Sequence, residues 1–462
     1  MQLNTLFFFV YAMKVGILGA GLSGLSCGFF LKQNNVDFEV LESENEPGGL
    51  CRSIRDDKGF TFDVAGGHIF FTKDEEIKKL VLTLVKNMLT VRRNTKILFK
   101  GQYVKYPFEN GLSDLPPEDN YECLLEFIKT LTNKYEKPEN FKEWIYQTFG
   151  KGIAERYMMP YNEKIWKCPP EKMDTFWVDG RVPKPPIEDI IKSSVGIQTE
   201  GYTHQLNFQY PEKGGYQEVP DAFYSTIKDS IVFNFKVKKI ERLGNKWVVS
   251  DGLHKKEYDE IISTVPIFVL RDTMQMPDDV KDAISELRYN SIIMVLLGFN
   301  EKETGDKHWL YIPEMTTPTH RLIYLKNYTK FSSPEGKTSI ISEITYNEGD
   351  ELSKMSDDQI LEKITDDLDK MNLIDKSKMC YSRVCRTKYA YVVYDLKYKE
   401  AIKKVYDYFA SLPLYLCGRF SQFVYINSDG CVRNAKTVTD SLLGSNKISA
   451  RSIISIVEGL EQ

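Results

Sequence analysis

Gly19, Gly21 and Gly24 stand in G-x-G-x-x-G spacing inside "GILGAGLSGLSCGFFL", residues 16–31. Glycines so spaced let backbone approach a pyrophosphate. The helix that opens behind them offers unpaired N–H groups and the positive end of its dipole. An acid suited to a ribose hydroxyl follows at Glu42, the end of "FEVLE". Next, "ENEPGGLCRS" brings Gly48, Gly49 and Arg52. A second glycine pair lets the chain run close to a second part of a long cofactor, and an arginine beside it binds phosphate or flavin carbonyls. Asp63, Gly66, Gly67 and His68 follow in "FTFDVAGGHIF". The glycine fingerprint alone is weak; with the acid in place it predicts a bound dinucleotide.

These residues need strands and helices to hold them. Residues 14–18 read as a strand, the glycines as a tight turn, "LSGLSCGFFL" as a helix and "FEVLE" as a second strand. "SIVFNFKVKKIERLGNKWVVSDG" alternates apolar and polar residues as a meander, and "YDEIISTVPI" is a buried strand. "LYLCGRFSQFVYINSDGCVRNAKTVTDSLL" gives a strand, Gly418 and Arg419, then a helix opening near Asp429 and Gly430. The fold class expected is α/β: a Rossmann-like domain assembled from residues 13–85, 212–270 and 410–462. A mainly helical insertion covers 110–200, and a sheet-containing one covers 86–109 with 271–409. Helical spacing marks "YECLLEFIKTLTNKY"; "NFKEWIYQTFG" opens on Asn140 and Glu143, a capping-box-like pair, and stops at Gly150. "GIAERYMMPYNEKIWKCPPEKMDTFWVDGRVPKPP" mixes aromatics, prolines, Lys and Arg. Most of these aromatics pack cores, but the mixture suits a loop gripping a flat base and a phosphate.

The bulk numbers exclude several classes. The 462 residues suffice for two or three domains, and 42% apolar with 27% charged residues is ordinary globular composition. A net charge of −4 without a long basic run argues against nucleic acid and anionic membrane as partners. "LFFFVYAM", residues 6–13, is too short to span a bilayer and lacks the flanks of a signal peptide. Met13 directly precedes the first strand, which makes residues 1–12 a candidate mis-annotated start. The eight cysteines form no C-x-x-C pair and the five histidines are scattered, so reduced thiols, a cytoplasmic location and no metal site are expected.

The double glycine with its arginine and the Gly-Gly-His turn resemble the FAD-binding fold of flavin amine oxidases, protoporphyrinogen oxidases and UDP-galactopyranose mutases. "GQYVKYPFENGLSDLP", "PYNEKIW" with "FWVDGRVPKP", "HWLYIPE", "THRLIYLKNY", "TKYAYVVYD" and "GRFSQFVYINSDG" occur in the order found in eukaryotic-type UDP-galactopyranose mutases. The chain is similar to that family over nearly its whole length from residue 14. The resemblance implies an FAD-dependent isomerase that interconverts UDP-galactopyranose and UDP-galactofuranose with no net redox change. In the family, reduced flavin attacks the anomeric carbon through N5 and UDP leaves and returns. NAD(P)H is a possible reductant.

Roles follow position by position. Arg181 and Arg321 match the diphosphate arginines, and His68 would lie against the flavin. Gly19, Gly21, Leu22, Ser23, Gly24, Glu42, Gly49, Arg52, Gly67, Val237, Arg419, Asp429 and Gly430 fall on cofactor contacts. Tyr106, Phe108, Glu109, Tyr157, Asn162 and Trp166 fall on the uridine and sugar pocket. Tyr311, Tyr328, Tyr391 and Tyr425 fall around phosphates and galactose. Arg93 and Asn94 lie where the family has residues near flavin and substrate. The chain departs from the pattern at Glu109, a glutamine in the eukaryotic type, and at "SDG", residues 428–430, where that type has "GNQ". An ionised glutamate accepts hydrogen bonds but does not donate. Glu109 is therefore expected to turn to solvent or to a cation such as Lys105; the alternative is a pocket that prefers a base richer in donors. The competing function is a redox flavoenzyme of the amine oxidase or protoporphyrinogen oxidase type, which would want an apolar tunnel in place of paired arginines.

Overall fold

The structure, a computed structural model, describes residues 13–178, 181–182, 186–200, 206–301 and 305–444. The described residues divide into two units, one holding 13–49, 220–281 and 405–444, the other those within 50–219 and 282–404.

The first unit is built on a five-stranded parallel sheet in the order Leu414–Leu416, Glu260–Ser263, Lys14–Leu18, Asp37–Leu41, Ile231–Val232. Val15, Ile17, Leu18, Ile261 and Ile262 are fully buried. A parallel sheet is covered on both faces, so its strands read as apolar runs without alternation. The helix Leu22–Gln33 is buried without a break from Leu22 to Leu31 and packs along the helix Ser428–Leu442. The alternating segment divides: Ile231–Val232 joins the parallel sheet, and Lys239–Leu243, Lys246–Ser250 and Lys255–Tyr258 form a separate antiparallel meander. Tyr258 occupies the space a side chain at Gly16 would need, and its hydroxyl donates to Glu39 at 2.6 Å.

The second unit centres on a seven-stranded sheet: Met379–Val393, Arg288–Phe299, Thr338–Tyr346, Arg321–Ile323, Trp309–Tyr311, Thr95–Phe99, Gln102–Lys105. Neighbours are antiparallel except Trp309–Tyr311 beside Thr95–Phe99. Helix Asp357–Lys370, opened by the Ser356–Gln359 capping box, packs Ile360, Ile364 and Leu368 into a core with Ile293, Val295 and Leu297. Helices Pro117–Thr132, Phe141–Ile153, Met159–Trp166 and Ile187–Ser194 make up the helical part. Asn140 caps the second of these by accepting the Glu143 N–H at 3.0 Å. Gly150, at φ 73°, breaks that helix, and the chain then turns helical again. A Cβ there would lie 2.5 Å from the Glu126 carbonyl. Residues 50–85 and 212–219, read from the sequence with the nucleotide half, cluster in this unit. The reason is long-range packing: the Ser53–Arg55 and Thr61–Asp63 hairpin stacks Phe60 and Phe62 on Tyr381 and bonds Asp63 to Tyr210 and Tyr216. Among the described residues no helix is long and apolar enough to cross a membrane.

Candidate active site

In the first unit the three glycines of the opening turn do different work. Gly19 sits at φ +99°, and its N–H donates to the Leu41 carbonyl at 2.8 Å. A Cβ on Gly24 would lie 2.0 Å from the Gly19 carbonyl oxygen, so the helix can pack on the turn only with glycine there. A Cβ on Gly21 would meet nothing nearer than Gly49 Cα at 3.9 Å. Gly21 is thus required by neither φ nor packing; at φ −71° it caps Leu22–Gln33 without a side chain. Bare backbone at that point leaves the first N–H groups of the helix open to an anion, and Leu22 and Ser23 carry them. Glu42 braces the turn: Oε2 accepts the Ala20 N–H at 2.6 Å, and Oε1 accepts Glu44 N–H at 2.9 Å and Ser43 Oγ at 3.1 Å. A carboxylate has about four acceptor positions, so capacity remains for a ribose hydroxyl. Val237 is half-buried just beyond Phe235, whose N–H donates to the Glu42 carbonyl at 2.7 Å. The residues therefore fit an FAD nucleotide half.

At the other end of this unit, Arg419 donates through Nε and Nη2 to the Ile426 carbonyl at 2.8 and 2.6 Å and lies 4.8 Å over the Tyr425 ring. Asp429 accepts from Arg433 Nη2 at 3.0 Å in the first turn of Ser428–Leu442. Buried Gly430 brings that turn within 3.0 Å of Ile426 Cβ, measured from the Cβ it lacks. Tyr425 belongs to this unit.

In the second unit, the His68 N–H donates to the Gly66 carbonyl at 3.0 Å and the ring stacks on Tyr216 at 5.3 Å. A Cβ on Gly67 would fall 2.6 Å from Ile323 Cδ1, so this turn passes closely over the sheet. Asp63 fixes it from below: the buried carboxylate accepts Ser53 Oγ at 2.6 Å, Tyr216 N–H at 3.0 Å and Tyr210 OH at 3.0 Å. Burial pushes Asp63 up to about 6, against the pull of those three donors. Half-buried Arg52 enters the same hairpin, its carbonyl accepting Val64 N–H at 3.1 Å.

Arg321 and Glu343 face each other across adjacent strands. Arg321 donates from Nε at 2.9 Å and Nη2 at 2.5 Å to Glu343 Oε2, and Tyr391 OH donates to Oε1 at 2.6 Å. Glu343 is fully buried, and His320 Nε2 lies 3.3 Å from its Oε1. Burial alone would push this carboxyl up; Arg321, His320 and Tyr391 together hold it far below the carboxylate range. The guanidinium is thereby fixed on one edge, leaving its Nη1 edge for another acceptor. Glu343 escaped the sequence reading, although a single acid within the apolar strand "TSIISEITY" was the available signal.

Aromatic rings surround this pair. Phe108 stacks on Tyr157 at 5.2 Å, Tyr157 on Tyr161 at 5.3 Å, and Tyr161 meets Tyr311 at 5.1 Å, which meets Tyr106 at 5.2 Å. Tyr161 lies within "PYNEKIW" and has no role expected from the sequence. Arg93 lies 4.5 Å over Tyr106 and 4.9 Å over Trp309 and donates to Tyr311 OH at 3.2 Å. Asn94 is turned to backbone, donating to the Asp306 carbonyl at 3.3 Å. The Tyr328 hydroxyl is buried with no hydrogen-bond partner among the described residues. Asn162 and Trp166 bond each other, indole N–H to Oδ1 at 2.9 Å, so the one donor of Trp166 is taken. Arg181 stands in a short stretch whose N–H donates to the Val178 carbonyl at 3.0 Å.

Glu109 turns neither to solvent nor to Lys105. It is 6% exposed, because the turn Phe108–Asn110 packs under helix Ile187–Ser194, and Lys105 Nζ donates to the Thr199 carbonyl. Burial pushes its carboxyl up to about 7, opposed only by its own backbone N–H.

A discontinuous nucleotide-binding sheet joined to a sheet-rich unit with a charged, tyrosine-lined cluster defines a flavoenzyme. The chain belongs to the family of flavin containing amine oxidoreductases, which it matches over residues 22–443, and its cofactor is FAD. It is similar to a solved structure of reduced UDP-galactopyranose mutase, with a TM-score of 0.90 and 26% identity, covering 97% of this chain and 99% of the other. It is also 25% identical over 170 residues to dTDP-fucopyranose mutase of Escherichia coli, 35% of this chain and 43% of that protein. That stretch spans under half of the relative. Coproporphyrinogen III oxidase of Staphylococcus aureus is 21% identical over 364 residues, 71% of this chain and 77% of the other.

Proposed function

We propose that this chain is an FAD-dependent isomerase, a mutase that interconverts the pyranose and furanose forms of a nucleotide-bound hexose, UDP-galactose in the first instance. The observation that carries the reading is Arg321, held on one edge by buried Glu343 among tyrosine hydroxyls, with the Tyr328 hydroxyl unpartnered among the described residues. A half-buried guanidinium with an open edge and an orphan hydroxyl suit an oxyanion and not the apolar substrate of an amine or porphyrinogen oxidase. The likeness to reduced UDP-galactopyranose mutase and to dTDP-fucopyranose mutase supports it.

Residues 19–24, Glu42, Gly49, Val237, Arg419, Asp429 and Gly430 hold the FAD in this reading, with Arg52, Gly67 and His68 along its flavin part. When bound, reduced FAD would supply a nucleophile for the anomeric carbon, chemistry that entails no net redox change. The chain's own residues act on the leaving group. As the anomeric bond breaks, charge gathers on the terminal phosphoryl of UDP. Arg321 meets it with its Nη1 edge already oriented, so little reorganisation is needed. Arg181 adds a second guanidinium, and Tyr311, Tyr328, Tyr391 and Tyr425 give hydroxyl donors to the diphosphate and sugar. Tyr106, Phe108 and Tyr157 hold the base by ring contact; Asn162 and Trp166 brace them. Cytoplasmic placement and reduction by NAD(P)H complete the proposal.

The test is incubation with UDP-galactofuranose, with and without dithionite, followed by product separation. Turnover is expected only with reduced enzyme, with no reductant consumed per product. Equal activity of oxidised enzyme, or one NADPH consumed per product, overturns the mutase; substrate-driven flavin reduction with peroxide formation instead establishes the oxidase.

A further inference from the structure

Glu109 stands in the turn that the proposed function gives to the nucleobase, and the inference rests on that reading. The turn is Phe108–Asn110, placed between strand Gln102–Lys105 and helix Ile187–Ser194. Phe108 lies flat on Tyr157 and Asn110 is tied to Thr199 by a 2.7 Å hydrogen bond, so the backbone carrying Glu109 is fixed on both sides. The residue is 6% exposed, and among the described residues no cation and no side-chain donor reaches its carboxyl.

The neighbouring charges are occupied elsewhere. On the strand, Lys105 is bound to the Thr199 carbonyl. On the helix, Lys192 pairs with Glu188 at 2.6 Å. Asp189 stands in that helix's first turn and brings no positive charge. On the segment Ala154–Met158, Arg156 pairs with Asp119 and Glu122, and Glu155 lies 4.0 Å from Lys151. Tyr157, which faces Glu109, is itself pushed well above the tyrosine range by burial, with Tyr161, Tyr106, Tyr311 and Glu109 adding to it, so it stays neutral. Beyond it, Arg93 is taken by Thr95 and Tyr311. A carboxylate buried without a cation or a sufficient set of donors is costly, and the group escapes that cost by keeping its proton.

We infer that Glu109 reads the base as a neutral carboxylic acid, its O–H donating to a carbonyl of a uracil-type ring and its C=O accepting the ring N–H. Uracil and thymine present that donor beside an acceptor on one edge, and a neutral carboxyl is its complement. The ionised form accepts the N–H but repels the carbonyl. The chain therefore binds uracil-type nucleotides in its acid form and loses them as pH rises. The proton leaves at about 7 in the free protein, within the working range of an enzyme.

The test uses the full-length holoprotein with oxidised FAD, which binds without turning over. UDP-galactose is the probe, because its diphosphate is esterified at both ends and does not titrate between pH 6 and 8.5. Dissociation constants are read from flavin fluorescence for the native protein and for Glu109→Gln. A proton lost near 7 and needed for binding predicts an affinity about 30-fold weaker at pH 8.5 than at pH 6. Glu109→Gln, which always offers one donor and one acceptor, is expected to bind with nearly constant affinity across that range and to match the native protein's pH 6 value. A flat native profile, or a fall shared by both proteins, overturns the inference while leaving the nucleotide-sugar reading intact. A native protein that at pH 8.5 prefers a guanine nucleotide sugar, with the preference lost in Glu109→Gln, overturns it too, since the carboxylate then reads the base. FAD-loaded protein that binds UDP-galactose at no pH in either form removes the nucleotide-sugar reading and this inference together.

Discussion

Gly21→Val is expected to yield a folded protein without FAD. The structure separates the two needs that a glycine fingerprint usually confounds. Gly21 has an extended-region φ of −71°, which valine adopts readily, and its added Cβ would meet only Gly49 Cα at 3.9 Å. The fold tolerates the side chain; the space it fills is the one a pyrophosphate needs against the helix N-terminus. Gly24→Ala is the contrasting case. Its Cβ would stand 2.0 Å from the Gly19 carbonyl oxygen and 3.1 Å from Thr264 Oγ1. Backbone cannot yield there without prying the helix from the sheet, a cost of about 3 kcal/mol or more. Flavin absorbance at constant circular dichroism checks the first variant, and thermal unfolding checks the second. Full FAD occupancy in Gly21→Val would place the pyrophosphate elsewhere.

The same turn shows how much the sequence carried. Strand, turn, helix and acid could be read because each rests on neighbours close in the chain: the periodicity of residues 14–41, glycines at fixed offsets, Glu42 at a strand end. The discontinuous nucleotide-binding sheet was legible for the same reason, since each piece carries its own apolar run. Long-range pairing was not. Nothing local says that Ile231–Val232 joins the edge of the parallel sheet while the next strands leave it. Nothing local says that residues 50–85 pack with the second unit, because that depends on Asp63 reaching Tyr210 and Tyr216 about 150 positions away. The site shows the same divide. Tyr106, Phe108, Tyr157 and Tyr311 do gather, but no local pattern shows that Trp166 donates its N–H to Asn162, or that the lone acid of strand Thr338–Tyr346 is the partner of Arg321. Glu109 was read by its usual charge and so expected in water, whereas burial decides both its place and its proton.

Arg321→Ala and Glu343→Leu should separate chemistry from stability more cleanly than any other pair. Arg321→Ala removes the oriented guanidinium. Charge-assisted hydrogen bonds contribute about 1.5–3 kcal/mol each, so losing a two-bond grip on the leaving diphosphate lowers kcat/KM roughly 100-fold or more. It also leaves Glu343 buried without its cation. Glu343→Leu strands the Arg321 charge, and breaking a buried pair from one side costs about 3–5 kcal/mol of stability. The double variant Arg321→Leu with Glu343→Leu leaves neither charge behind. Replacing both partners of a buried pair by apolar residues is close to neutral, so its unfolding free energy should recover to within about 1–2 kcal/mol of the native protein. Its activity should not recover, because the leaving group still has no guanidinium. The pH dependence has a definite sign. Glu343 is depressed in the folded state, so its stabilisation is complete above its ordinary value of 4.5 and is lost as pH falls below that. The native protein should lose stability on acidification through that window, and the double variant should lose less. Chemical denaturation at pH 7 and pH 4, beside UDP binding and turnover at pH 7, reads all of this. A double variant that regains turnover would remove Arg321 from the chemistry. One that stays as unstable as Glu343→Leu alone would mean that Tyr391 and His320, which also face Glu343, need the carboxylate more than Arg321 does.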